Sequence, residues 1–141
     1  MFQTKANSYA FLSLLDVAQR GEDGVKAADI SSKYDLPAAY AGKILGELAR
    51  ARICQSDRGP QGGFRLARAP KDISALEVFE AINGPLAGGG MLPDGANKNH
   101  QRGVTQLFDQ MIEDMRKRLQ RVSLADLMPG KGRKRKTSAS R

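Results

Sequence analysis

The sequence contains little of the chemistry expected of an enzyme, a metalloprotein or a disulfide-stabilised protein. Its 141 residues include one cysteine, Cys54, and one histidine, His100. One cysteine excludes an intrachain disulfide, and these two residues are too few for most metal sites of such ligands within one subunit. No pair of catalytic carboxylates, Ser–His–Asp set or cofactor-binding loop can be assembled convincingly. We therefore expect a protein without enzymatic activity, metal ion or cofactor.

Long hydrophobic runs are also missing from the sequence. No stretch of about 18 apolar residues occurs, so we expect no helix that crosses a membrane. Residues 1–11 lack an apolar core followed by a small-residue cleavage site, so we expect no secretory signal. Together with the single cysteine, these features favour a cytoplasmic location.

Positive charge, in contrast, is abundant. The formal net charge is +8 and the isoelectric point is near 9.9, which is typical of nucleic-acid-binding domains. Residues 129–141 hold six basic residues and no acidic one, which predicts a disordered basic tail that attracts phosphates or is simply solvated. Between residues 37 and 71, seven basic residues accompany two acidic ones, and this local excess is the better evidence for an anionic partner.

A helix-turn-helix pattern occupies residues 27–52. We predict a short helix over 27–34, a turn at Asp35 and Leu36, and a second helix from Pro37 to about Arg52. Apolar residues at helical spacing predict the buried face of this second helix: Tyr40, Ile44, Leu45 and Leu48. A helix that is buried on one side and free on the other suits reading of the major groove, although an ordinary helical hairpin is the alternative.

A hairpin, or wing, is predicted directly after the second helix. Its strand candidates are residues 53–56 and 64–67, and residues 57–63 form a loop rich in turn residues. Glycines at the tip allow close approach to a phosphate, and Arg58 there could enter a minor groove. The alternative is a surface hairpin with solvated charges. The order helix, turn, helix and wing predicts a mainly α winged helix-turn-helix with a small two-stranded β-wing.

Further helices flank this unit. A first helix, capped by Asn7 or Ser8, is predicted to end near Gln19. Ser74 and Glu77 form a capping box for a helix through Ile82, with an expected buried stripe of Leu76, Phe79 and Ile82 or their neighbours. After a glycine-rich loop, a long helix is predicted from about Arg102 to Val122, and residues 123–128 are predicted to form a short capped turn or helix. The apolar stripe of the long helix predicts a dimer interface, with packing inside one subunit as the alternative.

The wing string RGPQGGFRLAR and its surroundings resemble the Rrf-two (Rrf2) family of bacterial winged-helix regulators. The family pattern is met by Ile44, Leu45, Leu48, Arg58, Gly59, Gly62, Gly63, Phe64, Leu66, Ala67, Arg68, Ile73, Val78, Ala81, Ile82 and Gly84. The resemblance covers most of residues 4–128. It implies a nucleoid-associated homodimer that binds palindromic double-stranded DNA as a transcription regulator, expected to be a repressor.

Two sets of functional residues follow from the pattern and the resemblance together. The residues expected at the DNA are Ala38, Ala39, Gly42, Lys43, Arg50, Arg52, Arg58, Gly59, Gln61, Gly62, Gly63 and Arg65, with Arg68 as a further phosphate candidate. The residues expected at the dimer interface are Leu107, Phe108, Met111, Ile112, Met115 and Leu119. The chain would then comprise a DNA-binding domain (1–85), a flexible loop (86–100), a dimerisation helix with its closing turn (101–128) and a basic tail (129–141).

The sequence departs from the family in three places. Cluster-binding relatives carry three cysteines in the loop before the long helix, and this loop has none, so we expect no iron–sulfur cluster. Cys54 stands where an aliphatic residue is usual, either as a small buried hydrophobe or as a redox sensor. The second helix carries Ala38, Ala39 and Gly42 in place of longer polar residues, so the wing is expected to supply more of the specificity.

These departures keep a second function open. A winged helix with few base-reading groups is also consistent with a protein-interaction or ligand-sensing module that binds DNA only non-specifically. An unidentified small-molecule or redox effector would be expected at the glycine-rich loop and the long helix.

Overall fold

Helices make up most of the chain, and one small sheet lies between the third and the fourth. The computed structural model describes residues 2–57, 63–90 and 92–130. Its α-helices and strands, in chain order, are α1 (Lys5–Arg20), α2 (Ala27–Tyr34), α3 (Ala38–Arg50), β1 (Cys54–Ser56), β2 (Phe64–Leu66), α4 (Ala75–Asn83), α5 (Lys98–Arg121) and α6 (Leu124–Leu127). Short 3-10 helices span Gly21–Asp23 and Pro70–Asp72. The predicted fold class, mainly α with a two-stranded wing, is confirmed.

The hydrophobic core lies between α1, α2, α3, α4 and the base of the sheet. Leu14, Ile30, Leu45 and Leu48 are at most 1% exposed, and Cys54 packs in the same cluster. Complete burial of each large aliphatic side chain contributes about 1.5–3 kcal/mol to folding. Helix α3 is therefore held firmly on one side, and its other side faces away from the core.

The start of α1 differs from the prediction. The cap is Thr4, whose Oγ1 accepts a hydrogen bond of 3.1 Å from the Asn7 backbone N–H. Asn7 lies inside the first turn and is buried, and its Oδ1 accepts a 2.6 Å hydrogen bond from Asn83 Nδ2 of α4. Thr, Asn and Ser are all good caps, so the predicted Asn7 or Ser8 cap was wrong because tertiary contacts select among them.

The helix-turn-helix forms as predicted, with small shifts at its ends. The α2 N-terminus is closed by Asp29, whose Oδ2 accepts a 3.0 Å hydrogen bond from the Lys26 backbone N–H. The buried face of α3 includes Ala41, whereas Tyr40 is only half-buried. Helix α3 ends at Arg50, two residues before the predicted end, because Arg52 has a left-handed backbone with φ of 63°.

Helix α4 has the predicted capping box, and its buried face includes the predicted Leu76 together with neighbours of the other predicted residues. The Ser74 Oγ accepts from the Glu77 N–H at 3.1 Å, and Glu77 Oε2 accepts from the Ser74 N–H at 3.2 Å. Ala75, Leu76 and Val78 are the buried residues of this helix. The predicted Phe79 and Ile82 are half-buried, because the helix turns its Val78 side, not its Phe79 side, toward the core.

Helix α5 begins four residues earlier than predicted. Asn97 caps it, since its Oδ1 accepts hydrogen bonds from the N–H groups of Asn99 at 2.8 Å and His100 at 3.2 Å. Residues 98–100, predicted as loop, are therefore helical. No residue of α5 is fully buried. Ser123 caps the short α6, as the sequence predicts.

Two further expectations concern membrane-spanning helices and the basic tail. None of the helices in the described part of the chain is long and apolar enough to cross a membrane. The predicted disordered tail falls almost entirely on residues 131–141, which lie outside the described residues.

Candidate nucleic-acid interface

The turn between α2 and α3 is held by hydrogen bonds across it. Asp35 has a left-handed backbone with φ of 54°, which aspartate tolerates better than most residues. The Leu36 N–H donates to Ser31 O at 2.9 Å, and Ser31 Oγ donates to Leu36 O at 2.6 Å. These contacts fix the direction in which α3 leaves the turn.

The outward face of α3 carries the residues predicted to meet DNA. Ala38, Ala39, Lys43 and Arg50 are exposed, and Gly42 is partly exposed. A Cβ atom at Gly42 would meet nothing within 4 Å. Glycine inside a helix lowers stability by about 0.5–1 kcal/mol relative to alanine. Because a side chain would fit at this position, packing within the described chain does not explain why residue 42 is glycine.

A carboxylate sits between the two cations of this face. Glu47 Oε1 lies 2.8 Å from Arg50 Nη1, and its Oε2 lies 3.8 Å from Lys43 Nζ. Exposed ion pairs of this kind contribute only about 0–1 kcal/mol. Lys43 and Arg50 could therefore exchange Glu47 for a phosphate or a base edge at little cost.

The wing is attached to the body through backbone hydrogen bonds. Strand β1 pairs antiparallel with β2, and Asp57 N–H donates to Gly63 O at 2.8 Å beyond the last pair. Phe64 also forms a bridge with Val25, through hydrogen bonds of 2.7 and 2.9 Å. A Cβ on Gly63 would lie 3.0 Å from Val25 O, so the close approach at this bridge favours glycine there.

Arg65, a predicted DNA contact, is engaged within the chain. Its Nε and Nη2 donate to the two carboxylate oxygens of Asp57 at 2.9 and 3.0 Å, and its Nη1 donates to Glu22 Oε1 at 3.1 Å. The hydrogen bonds from the Arg65 guanidinium hold the pKa of Asp57 below its usual value. Its predicted contact with DNA stays a prediction, but it would compete with these partners.

Arg68 is engaged in the same way. Its Nη2 donates to Glu77 Oε1 at 2.6 Å, its Nη1 to Asp72 O at 3.1 Å, and its Nε to Arg52 O at 3.3 Å. The hydrogen bond from Arg68 is the main reason that the pKa of Glu77 is lowered. Arg68 thereby ties the end of α3 to the start of α4, a role that the sequence analysis missed.

The remaining predicted contacts divide by position. Arg52 is exposed at the end of α3, beside the wing. The tip residues predicted to bind DNA lie outside the described residues, so nothing in the structure bears on them: Arg58, Gly59, Gln61 and Gly62.

Cys54 lies on β1 with its side chain in the core. It is 2% exposed, and burial raises the pKa of its thiol to about 12. Reactive cysteines are accessible thiolates, and this thiol is neither. The location therefore favours the interpretation of Cys54 as a small buried hydrophobe over a redox sensor.

The loop before α5 borders a polar pocket. This pocket, of about 870 Å³, lies against the N-terminal half of α5, and its lining includes Leu92, Arg102, Thr105 and Asp109. A Cβ on Gly88 would collide with the Asp109 carboxylate, so a larger residue there would require that side chain to move. Among the described residues, no group of three His, Cys, Asp or Glu side chains is placed to hold a metal ion.

Much of the predicted dimer face of α5 is left exposed by the described part of the chain. Leu107, Phe108 and Met111 are each more than half exposed, and Ile112 is partly exposed. Nearer the C-terminus, the same side of α5 borders an apolar groove of about 560 Å³, with α1 and α4 on its other sides. Its apolar lining is Phe2, Phe11, Leu12, Phe79, Met115 and Leu119.

Comparison with known proteins gives consistent matches along the chain. The sequence profile of Rrf2, described as an iron-dependent transcriptional regulator, matches residues 3–130. The chain is 31% identical over 135 residues to the HTH-type transcriptional regulator IscR of Photobacterium profundum, covering 89% of this chain and 74% of IscR. It is 29% identical over 126 residues to BadM of Rhodopseudomonas palustris, covering 88% of this chain and 79% of BadM.

A solved structure shows the same fold. CymR of B. subtilis, the global cysteine regulator, superposes with a TM-score of 0.70 at 22% sequence identity. The superposition covers 88% of this chain and 93% of CymR, so it extends over the winged helix and the long helix.

Proposed function

Because this chain belongs to the Rrf2 family of DNA-binding transcriptional regulators, we propose that it acts as a homodimeric repressor at a palindromic operator, without an iron–sulfur cluster. The observation that carries the proposal is the outward face of α3, which presents Lys43 and Arg50 beside the wing and packs on the core through its other side.

In this proposal α3 enters the major groove. Lys43 reaches a guanine edge, and the methyl groups of Ala38 and Ala39 contact thymine methyls. Arg50 and Arg52, at the end of the helix, bind phosphates, and Arg58 on the wing enters the minor groove. Since few side chains on α3 can hydrogen-bond to bases, much of the specificity comes from the shape of the DNA.

The proposed dimer forms through α5. Its exposed apolar residues would cross those of a second copy, which removes them from water and places two copies of α3 on one side of the assembly. Two recognition helices related by a two-fold axis match a palindromic site. The support for this step is the apolar face of α5, which the rest of the described chain leaves uncovered.

The donor atoms near α5 do not fit an iron–sulfur cluster. Such clusters are held by cysteine thiolates, and residues 84–97 contain none. His100 lies in the first turn of α5, where its backbone N–H bonds to Asn97. The sole thiol is buried on β1. An effector, if one acts on this protein, would more readily use the polar pocket beside α5.

Selection of DNA from a random pool tests the proposal directly. The purified protein should enrich palindromic duplexes and should prefer them to scrambled duplexes at moderate salt. Lys43→Ala should reduce that preference. Arg50→Ala should weaken binding to palindromic and scrambled duplexes alike, and should lower the salt slope, the slope of the log binding constant against log salt concentration, by about 0.9. Absence of any preference would refute sequence-specific regulation, and a visible iron–sulfur absorbance band would refute the cluster-free proposal.

Dimerisation and repression need their own measurements. Sedimentation of the full chain should give the mass of two copies, and a mass of one copy would refute the dimer. A promoter that carries the selected site should be less active in cells that contain the protein. Higher activity there would identify an activator.

A second function is favoured by the small residues of α3. Ala38, Ala39, Gly42 and Gly46 leave a shallow surface that could receive a partner protein instead of a groove of DNA. A protein partner that stays bound at high salt would support this function, because phosphate contacts weaken steeply with salt.

A further inference from the structure

The base of the wing holds a charge cluster that the proposed DNA contacts do not use. Arg65 lies on β2, and its guanidinium donates two parallel hydrogen bonds to the carboxylate of Asp57. A third hydrogen bond reaches Glu22, in the 3-10 helix that connects α1 to α2. The Arg65 side chain is only 28% exposed, so its position is largely fixed by these partners and by β2.

The cluster joins the residue that precedes the tip of the wing to the body of the protein. Asp57 is the last described residue before the tip segment 58–62, and Gly63 is the first one after it. The Asp57 N–H donates to Gly63 O at 2.8 Å, so both ends of the tip are held together at the level of the cluster. Glu22 adds a connection to a part of the chain that is distant in sequence.

The geometry of Arg65 suits a side chain that fixes the direction of its partner, Asp57. A guanidinium paired with both oxygens of one carboxylate has a fixed plane and direction, which a lysine ammonium would not have. Its carbon stem also passes close to the backbone of Gly24, where an added Cβ would lie 3.3 Å from Arg65 Cγ. The pair therefore resists rotation of Asp57, the residue from which the tip begins.

The net charge of the cluster argues against a direct role in phosphate binding. One guanidinium is shared by two carboxylates, so the cluster as a whole is negative. A negative cluster beside DNA opposes binding on electrostatic grounds. Its presence at the base of the wing is better explained by what it does to the geometry of the wing.

We propose that Arg65 is a positioning residue of the wing: through Asp57 and Glu22 it fixes the direction in which the tip leaves β1, and it does not contact DNA itself. This proposal rests on the proposed function, because it assigns the wing to DNA. It differs from the sequence-based expectation, in which Arg65 binds DNA directly.

Removal of Asp57 distinguishes the effect of wing position on DNA binding from the effect of negative charge. The probe is a duplex enriched by the wild-type protein from a random pool. Asp57→Ala removes a negative charge near DNA, so electrostatics alone predicts tighter binding. The proposal predicts binding that is about threefold to fivefold weaker, since a well-oriented but solvent-exposed ion pair is lost. The matched control is Asp23→Ala, which removes an acid that lies beside Glu22 and is not hydrogen-bonded to the Arg65 side chain. This variant should bind as tightly as wild type or more tightly.

A substitution of Arg65 itself gives the complementary test. Arg65→Lys keeps the charge but loses the two parallel hydrogen bonds, so it should weaken binding about as much as Asp57→Ala. If Arg65 instead binds a phosphate, the lysine variant should retain most of the affinity. Equal thermal unfolding of wild type and variants is required, so that misfolding is not mistaken for a loss of wing position.

The effect of Arg58→Ala on DNA binding provides a further test, because it would not depend on Asp57 if Asp57 only stabilised the fold. In the wild-type protein, Arg58→Ala should weaken binding, because the tip is held at the DNA. In the Asp57→Ala background the same substitution should cost much less. Additive losses would overturn the proposal.

Two outcomes distinguish this proposal from the proposed function. Wild-type affinity in Asp57→Ala refutes the positioning role while leaving DNA binding intact. If the wild-type protein prefers no duplex, the proposed function fails. Hydrogen exchange measured without DNA then tests whether Arg65 holds Asp57 in place. The Asp57 N–H should exchange faster in Arg65→Lys than in wild type, and unchanged exchange would refute the positioning role.

Discussion

The winged-helix body, which comprises α1 to α4 and the β-wing, differs from helix α5 in how completely its apolar side chains are buried. In the body, Leu14, Leu45 and Leu48 are fully enclosed by other elements of the same chain. In α5, no residue is fully buried, and Phe108 is 56% exposed. The body therefore has its own core, whereas α5 has an apolar face that the described part of the chain leaves exposed. The two regions should respond differently to the same kinds of substitution.

One polar cluster connects these two regions. Glu80 of α4 accepts hydrogen bonds from Arg116 Nη1 of α5 at 2.6 Å and from the Leu86 N–H at 2.7 Å. Arg116 Nη1 also donates to Leu86 O at 3.0 Å. The position of α5 on the body is therefore coupled to the first residues of the loop that borders the polar pocket.

The largest expected effect is in the core of the body. Leu14→Ala removes a fully enclosed side chain and should lower the free energy of unfolding by about 2–5 kcal/mol. Leu12→Ala, on the same helix at a position that is 42% exposed, should cost far less at low protein concentration. Urea denaturation measures both. Equal losses would contradict the claim that the body has its own core.

The next effect concerns the uncovered face of α5. Phe108→Lys should leave the body folded but weaken self-association by about 2 kcal/mol or more, a roughly thirtyfold change, as expected for a central aromatic residue in an interface. Gln106→Lys adds the same charge on the other side of the helix and should have little effect. Sedimentation at several concentrations, with circular dichroism for folding, distinguishes these outcomes. A lysine variant that still self-associates like wild type would place the interface elsewhere.

The connection between the regions gives a smaller effect. Glu80→Ala leaves Arg116 and the Leu86 N–H without their shared acceptor, and should lower the free energy of unfolding by about 1–2 kcal/mol. The Leu86 amide should also lose protection in hydrogen-exchange measurements. Glu113→Ala, on an exposed part of α5, serves as the control. Unchanged protection at Leu86 would show that α5 and the loop are held by other contacts.

Local signals in the sequence account for what could be predicted. The capping box of Ser74 and Glu77 lies within four residues, and the periodicity of α3 identifies its free face from the chain itself. Such signals do not depend on the rest of the fold. They sufficed for the winged-helix class and for the surface that carries the predicted DNA contacts.

Contacts between distant residues could not be predicted in this way. Arg65 and Glu22 are 43 positions apart, so the sequence offered Arg65 only as a free cation beside a glycine-rich tip. Arg68 was interpreted in the same way, although it is bound to Glu77. The Asn7 side chain was taken for a cap because nothing local reveals Asn83, its partner on α4. In each case a polar side chain has a fold-dependent partner that competes with its expected role.

The smallest effect concerns Arg52, directly after α3, and tests whether this residue contributes to stability or to the proposed contact with DNA. Arg52 follows α3 in a left-handed conformation that glycine adopts more easily, and the end of α3 is otherwise closed normally: Ile53 N–H donates to Leu48 O at 3.0 Å, and Arg52 N–H to Ala49 O at 2.9 Å. Arg52→Gly should therefore raise the free energy of unfolding by about 0.5–1 kcal/mol. Arg50→Gly removes the same charge from inside the helix and should lower the free energy of unfolding by about 1 kcal/mol. If both arginines bind phosphates, each variant should also reduce the salt slope of DNA binding by about 0.9. A destabilised Arg52→Gly would mean that the arginine side chain stabilises the body itself, and an unchanged salt slope would remove Arg52 from the proposed DNA contacts.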